Sequence, residues 1–196
     1  MARIEREQVF VESREQWRAW LADHHATSPG IWLVRWRKGA GPQVSYDEVV
    51  EEALAFGWVD SLPRGLDDER TQLLLTPRKP RSRRSRPNKE RVERLEAARL
   101  MAPAGAAVVA AARADGSWTA LDAVENLEEP DDLRRELDAV PAARQHWDAF
   151  PRSARRGILE WILDARTDGT RAKRVRETVD SAAQDVRANQ WRQPRR

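Results

Sequence analysis

Three stretches between Ser45 and Asn88 decide how this chain folds: Ser45-Tyr-Asp-Glu48, Ala53-Leu-Ala-Phe-Gly-Trp-Val-Asp60 and Thr76-Pro-Arg-Lys-Pro-Arg-Ser-Arg-Arg-Ser-Arg-Pro-Asn88. Ser45 with Glu48 is a capping-box pattern that opens a helix. Val49, Val50, Ala53 and Leu54 give it an apolar face, and Gly57 supplies a stop. Trp58 to Leu62 and Arg70 to Thr76 are rich in strand formers, with a polar turn from Pro63 to Glu69 between them. The second strand runs out into a basic loop broken by Pro77, Pro80 and Pro87. A further helix starts near Pro87-Asn88 and carries Val92 and Leu95.

Working outward on the N-terminal side, Ser13 with Gln16 is a second capping pattern. Trp17, Trp20, Leu21 and His24 follow at helical spacing, so a helix is expected from about Ser13 to His25. Pro29-Gly30 breaks the chain, and Ile31-Trp-Leu-Val-Arg-Trp36 reads as a strand. Trp32 and Trp36 alternate onto one face with Val34, and that face is expected to be buried. Gly39-Ala-Gly-Pro42 is a turn. The first hundred residues are therefore expected to form an α+β lobe around a small antiparallel sheet.

Beyond Met101 the pattern changes. Pro103, Pro130, Pro141 and Pro151 each precede a helix-like segment, where a fixed φ and a missing donor cost least. Ile158, Trp161, Ile162 and Ala165 form one apolar stripe, and Val175, Val179 and Val186 another. The expected fold class is thus α+β: residues 1–100 the mixed lobe, 101–190 an all-helical lobe, 191–196 a frayed tail. The acidic segment Glu125 to Asp138 reads as an exposed connector.

The 196 residues allow a substantial core, and 40% hydrophobic content with nine Trp argues for a folded protein. The absence of Cys excludes disulfides and thiolate metal sites. No run is long and apolar enough to span a bilayer, and Met-Ala-Arg-Ile-Glu-Arg-Glu-Gln8 has no apolar signal region. A cytoplasmic protein without membrane insertion is the expectation. The net charge is only +3, because 35 Lys and Arg face 32 Asp and Glu, so the pI of 9.8 overstates the basic character. Nearly all the cations are Arg, which stays charged to high pH.

These segments together resemble the YdeI/OmpD-associated, bacteriocin-protection-like family. The resemblance runs from Glu12 to Val186. Its residues are Trp17-Arg-Ala-Trp-Leu-Ala-Asp-His-His-Ala-Thr-Ser-Pro-Gly30, Tyr46-Asp-Glu48, Ala53 to Asp60, Leu66-Asp-Asp68, Thr76 to Ser82, Asn88-Lys-Glu-Arg91, Met101-Ala-Pro-Ala-Gly105 and Thr170-Arg-Ala-Lys-Arg174. The chain departs from that pattern at Ser61, where the family usually has Gly, and at Arg84, where it usually has Trp. The resemblance implies a bacterial protein of the stress-protection type, tied to antimicrobial-peptide resistance, and no established reaction.

The candidate site is a hollow between the Trp58-Val-Asp60 strand and the loop from Arg78 to Asn88. Arg78, Lys79 and Arg81 can hold an anionic group through bidentate or charge-assisted bonds. Ser82, Ser85 and Asn88 offer short polar groups that orient oxygen atoms, and Trp58 an apolar contact. The expected ligand is a small anionic or amphipathic molecule or peptide. A purely structural reading of the same residues stands beside it: Ser85 caps the next helix, Pro87 sits in its first turn, and Asp60 pairs with one Arg.

Two other classes stay open. In an enzyme, Asp60 would act as general base if burial beside Trp58 raised its pKa. In a nucleic-acid-associated protein, the nine Lys and Arg between Arg78 and Arg94 would neutralise phosphates, helped by Arg171, Lys173, Arg174 and Arg176. No cofactor motif accompanies either: there is no Gly-x-Ser-x-Gly elbow and no Gly-rich phosphate loop. His24 and His25 are adjacent on a helix and diverge by about a hundred degrees, so no metal site is expected.

Overall fold

The computed structural model describes residues 6–189, so the expected tail from Trp191 lies outside the described residues. It has two compact units, one reaching to Ala120 and the other starting at Leu121.

The first unit contains β1 (Gln8–Phe10), α1 (Arg14–His24), β2 (Ile31–Trp36), α2 (Tyr46–Ala55), β3 (Trp58–Gly65), β4 (Arg70–Pro77), α3 (Arg86–Ala97) and α4 (Pro103–Ala114). The caps form as the sequence expects. Gln16 N–H donates to Ser13 Oγ at 3.3 Å, and Ser45 and Glu48 close a reciprocal box at 3.2 and 2.7 Å. Gly57 takes φ 78°, the left-handed conformation that ends α2 and turns the chain into β3.

The sheet order is β1-β2-β4-β3. The three strands expected from the sequence pair antiparallel, β2 with β4 and β3 with β4. The fourth strand, Gln8 to Phe10, lies parallel to β2 and makes the sheet mixed. With three residues it is too short to show an alternating pattern. At the opposite edge, β3 shifts register between Asp60 and Pro63. A proline, which cannot donate to the ladder, is tolerated there because that strand has a free side.

The face of β2 expected to be buried is buried at Val34 but only half-buried at Trp32 and Trp36, and the opposite face is buried more completely. Ile31 and Leu33 are fully buried with Leu73 and Leu75, against Trp17 and Leu21 of α1 and Val49, Ala53 and Leu54 of α2. Trp17 ties the helices together by donating from Nε1 to Val49 O at 3.1 Å. Trp32 and Trp36 are half-buried on the other face. Arg64 lies over the Trp32 ring at 5.0 Å, and Phe10 packs edge-on to Trp36 at 5.3 Å. Large aromatic rings with polar partners suit a half-exposed face, which sequence alternation alone does not distinguish from a core face.

The expected lobe boundary at residue 100 moves to 120 because α4 packs on α2. Ala102 N–H donates to Ala55 O at 3.0 Å, and Gly105 is buried directly against that carbonyl.

The second unit is all-helical: α5 (Asp122–Asn126), α6 (Asp131–Asp138), α7 (Pro141–Ala149), α8 (Arg152–Leu163) and α9 (Asp168–Ala183). Ile158 and Ile162 of the expected stripe are fully buried, with Trp147, Leu133, Leu137, Val175 and Val179. Val186 is 37% exposed and lies past the end of α9. The acidic segment expected to be a connector instead supplies α6. Its Leu133 and Leu137, one turn apart, are completely buried, while its acids face Arg partners or solvent. Acidic content masked that short amphipathic pattern.

Two of these acids carry a pH dependence. Arg144 grips Glu129 with bonds of 2.7 and 2.8 Å, and Arg171 grips Asp132 with bonds of 2.6 and 2.8 Å. The bond from Arg144 holds Glu129 below the usual carboxylate range, and that from Arg171 does the same for Asp132, each against the opposing effect of burial. A carboxyl whose folded pKa lies below its unfolded value stabilises the fold fully above about pH 4, the ordinary carboxylate range. That contribution is lost as pH falls through the folded value. Asp132→Asn is therefore expected to lower the urea midpoint at neutral pH. It should also flatten the loss of stability below about pH 4, which parallel titrations of wild type and variant would measure.

Candidate functional site

The loop after β4 is built around one arginine. Arg78 N–H donates to Gly57 O at 3.0 Å, pinning the start of the loop to the end of α2. Its Nη1 donates to Ser82 Oγ and to Arg83 O, both at 3.1 Å, so the loop wraps round the guanidinium. Ser82 Oγ donates in turn to Lys79 O at 2.7 Å. Arg81, at the apex, has φ 58°. A left-handed non-glycine costs about 1 kcal/mol or more and persists only where its surroundings impose it.

Arg84, next along the loop, is 2% exposed. Its guanidinium stacks over the Trp118 ring at 5.3 Å, and Arg113 stacks on the same ring at 4.6 Å. Arg113 is neutralised by two bonds to Glu96, of 2.9 and 2.8 Å. Among the described residues Arg84 has no ion-paired carboxylate: the ring, a weak substitute for a counter-charge, and the nearby charge of Asp115 support it. Nε of Arg84 and Nε of Arg78 are both buried without a hydrogen-bond partner.

Both arginines line a cavity of ≈ 120 Å³. Lys79, Arg81 and Ser82 complete its loop side, while Val108, Ala111 and Ala112 of α4, with Asp115 and Ser117, form the other. Burial lowers the pKa of Arg78, and the charge of Asp60 opposes it. Burial and the nearby charges of Arg78 and Arg113 push Arg84 down to about 10, with Asp115 opposing. Both remain cationic at neutral pH. Asp115 Oδ1 accepts from Ser117 N–H at 2.9 Å. The Ser117 hydroxyl makes no bond of normal geometry, yet its proximity, with that N–H, holds Asp115 below the usual carboxylate range. Among the described residues Asp115 is the one acid in the cavity wall, which carries four cations.

The residues expected to share one hollow are divided. Arg78, Lys79, Arg81 and Ser82 line the cavity. Trp58 does not: it is 1% exposed in the core, with Nε1 donating to His25 O at 3.1 Å, and offers no face to a ligand. Asp60 accepts from the Tyr46 hydroxyl at 2.6 Å and touches the cavity only through its charge on Arg78. Burial, then the bond to Asp60, pushes the Tyr46 phenol up to about 12. Ser85 is the N-cap residue of α3, but its side chain makes no cap bond. Asn88 Oδ1 accepts from Arg91 at 3.0 Å, and Arg91 reaches on to Asp47 at 2.6 Å.

Sequence reasoning missed the wall contributed by α4, because that helix was placed in the other lobe. The usable signal was Pro103-Ala-Gly105, whose small residues mark a close helix approach. Arg84 was noticed only as a departure from a family pattern.

Three cations of the basic run are engaged within the fold. Arg84 is buried, Arg94 pairs with Glu51 at 3.0 Å, and Arg91 is committed to Asp47. In the second unit Arg171 pairs with Asp132, and Arg174 lies over Trp161 at 5.0 Å. His24 and His25 place Nδ1 against Trp20 O and Leu21 O, at 2.9 and 2.8 Å. Among the described residues no group of three His, Cys, Asp or Glu is placed to hold a metal, and no helix is long and apolar enough to cross a membrane.

Fold and cavity together define a two-unit protein: a mixed four-stranded α+β unit with a cationic cavity, and a helical unit. Residues 9–108 match a domain of unknown function, DUF8412, over just over half of the sequence, and the chain belongs to that family. Residues 126–185 match the family described as Bacteriocin-protection, YdeI or OmpD-Associated. The resemblance expected from Glu12 onward is thus found in the second unit, where Thr170-Arg-Ala-Lys-Arg174 lies. No curated protein and no solved structure matches the chain.

Proposed function

We propose that this protein is a non-catalytic binding protein for a small anionic ligand, held in the cavity of its first unit. The observation that carries the reading is Arg84, a guanidinium 2% exposed whose Nε has no partner, lining a cavity shared with Arg78. A charge taken out of water without a counter-ion costs several kcal/mol, so such groups are normally paired. A bound anion would supply the missing charge. The bacteriocin-protection match of the second unit gives this binding a context, protection against an antimicrobial agent. An enzyme using Asp60 has less support, since that carboxylate lies outside the cavity wall and is engaged by Tyr46.

The test is thermal melting at constant ionic strength with phosphate, sulfate or acetate replacing chloride. Wild type is expected to gain several degrees, saturably, with at least one of them. Arg84→Met, of similar volume and without charge, should lose that gain. It should be at least as stable as wild type without the anion, because the unpaired buried charge is gone. If no anion produces a saturable shift in wild type, the reading fails.

A further inference from the structure

The small size of the cavity and its single acid narrow the ligand class, an inference that rests on the anion-binding reading above. A cavity of ≈ 120 Å³ has room for several waters. That suits one tetrahedral oxyanion, and the expected small anionic ligand is taken as a single charged group. Arg78, Lys79, Arg81 and Arg84 place four cations in its wall against the one carboxylate of Asp115. The excess favours an anion with several acceptor oxygens over a carboxylate with two. A lone acetate-like group would leave most of it uncompensated.

Asp115 then sets the chemistry of the anion. It is ionised at neutral pH, and its Oδ1 is already taken by Ser117 N–H. An oxyanion entering beside it meets a fixed negative charge. A fully deprotonated tetrahedral ion, such as sulfate, has only acceptor oxygens to present to that carboxylate. A phosphoryl group keeps an ionisable proton, with a second pKa of about 6 in a monoester, and can donate it in a hydrogen bond to Asp115 while its other oxygens accept from the arginines. Lys79, Pro80, Arg81 and Asp115 are exposed, whereas Arg84 is buried. A substituent on the phosphoryl group therefore has a way out between the side chains of the loop.

We infer that the cavity bounded by Arg78, Arg84 and Asp115 is a phosphoryl-binding site that selects phosphate, free or as a small monoester, over sulfate and carboxylates. Binding is measured by calorimetry at about pH 6 with inorganic phosphate, glycerol phosphate, sulfate and acetate. Phosphate is expected to bind about tenfold or more tighter than sulfate, the scale set by one charge-assisted hydrogen bond. Acetate should bind weakest. Asp115→Asn keeps the acceptor for Ser117 N–H and removes the negative charge, so it should bring sulfate to within a few-fold of phosphate.

Glycerol phosphate binding as well as phosphate identifies a monoester as the ligand; its exclusion identifies the free ion. Sulfate or acetate binding wild type as tightly as phosphate overturns the selectivity and leaves the anion-binding reading standing. Selectivity unchanged in Asp115→Asn removes Asp115 from the account. Failure of every anion to bind overturns both.

Discussion

Gly105→Ala is expected to destabilise the first unit by about 3 kcal/mol or more, at the upper end of overpacking costs. A Cβ at this position would sit 2.1 Å from Ala55 O and 2.6 Å from Ala55 C. Both atoms are backbone, so no side-chain rotation relieves the clash, and α4 must move away from α2. That movement would break the 3.0 Å bond from Ala102 N–H to Ala55 O and carry off the cavity wall formed by Val108, Ala111 and Ala112. Anion binding should fall together with stability. The check is a urea titration followed by anion titration of the folded fraction. An unfolding free energy within about 0.5 kcal/mol of wild type, with binding retained, would show that the helices are not packed as described.

Trp147→Ala is expected to cost the second unit about 3–5 kcal/mol, the range for truncating a large buried aromatic. The ring is fully buried between Leu133, Leu137, Ile158 and Ile162 of the core, and packs edge-on to Phe150 at 6.3 Å. Its Nε1 also donates to Glu129 Oε1 at 2.7 Å. Glu129 keeps both bonds from Arg144 in the variant, so the loss should be dominated by packing and not by an orphaned carboxylate. Trp147→Phe should accordingly recover more than half of it. If the phenylalanine variant is as unstable as the alanine one, the hydrogen bond is the larger contribution and this ranking is wrong. Far-ultraviolet circular dichroism in urea, where helix loss dominates, provides the measurement.

How much of this was legible beforehand differs between elements for physical reasons. The capped helices announce themselves through local chemistry, since Ser13 and Ser45 need only neighbours three residues away. The strands from Ile31, Trp58 and Arg70 are equally local, and the α+β class follows from them. β1 was invisible because three residues carry no periodicity, and α6 because its acids outnumber its two leucines. The relative burial of the two faces of β2 is not legible, as both hold large apolar residues and only the helices above the sheet choose between them. The site was half legible. Arg78, Lys79, Arg81 and Ser82 belong to one loop, and their joint position follows from that loop's sequence. Asp115 and Ser117 reach the cavity through a helix contact set by Gly105 and Ala55, fifty residues apart. Trp58 was misjudged for a related reason: its position after the Gly57 turn points inward, and no local signal says so.

The two margins of the sheet have a consequence for behaviour at high concentration. Unpaired strand edges recruit strands from other molecules, and long flat ones do so most readily. Among the described residues one side offers Gln8, Val9 and Phe10; on the other, the ladder is interrupted between Asp60 and Pro63. Neither presents a regular row of donors and acceptors long enough to template a neighbour. Short or interrupted margins of this kind are poor templates for polymerisation through the backbone.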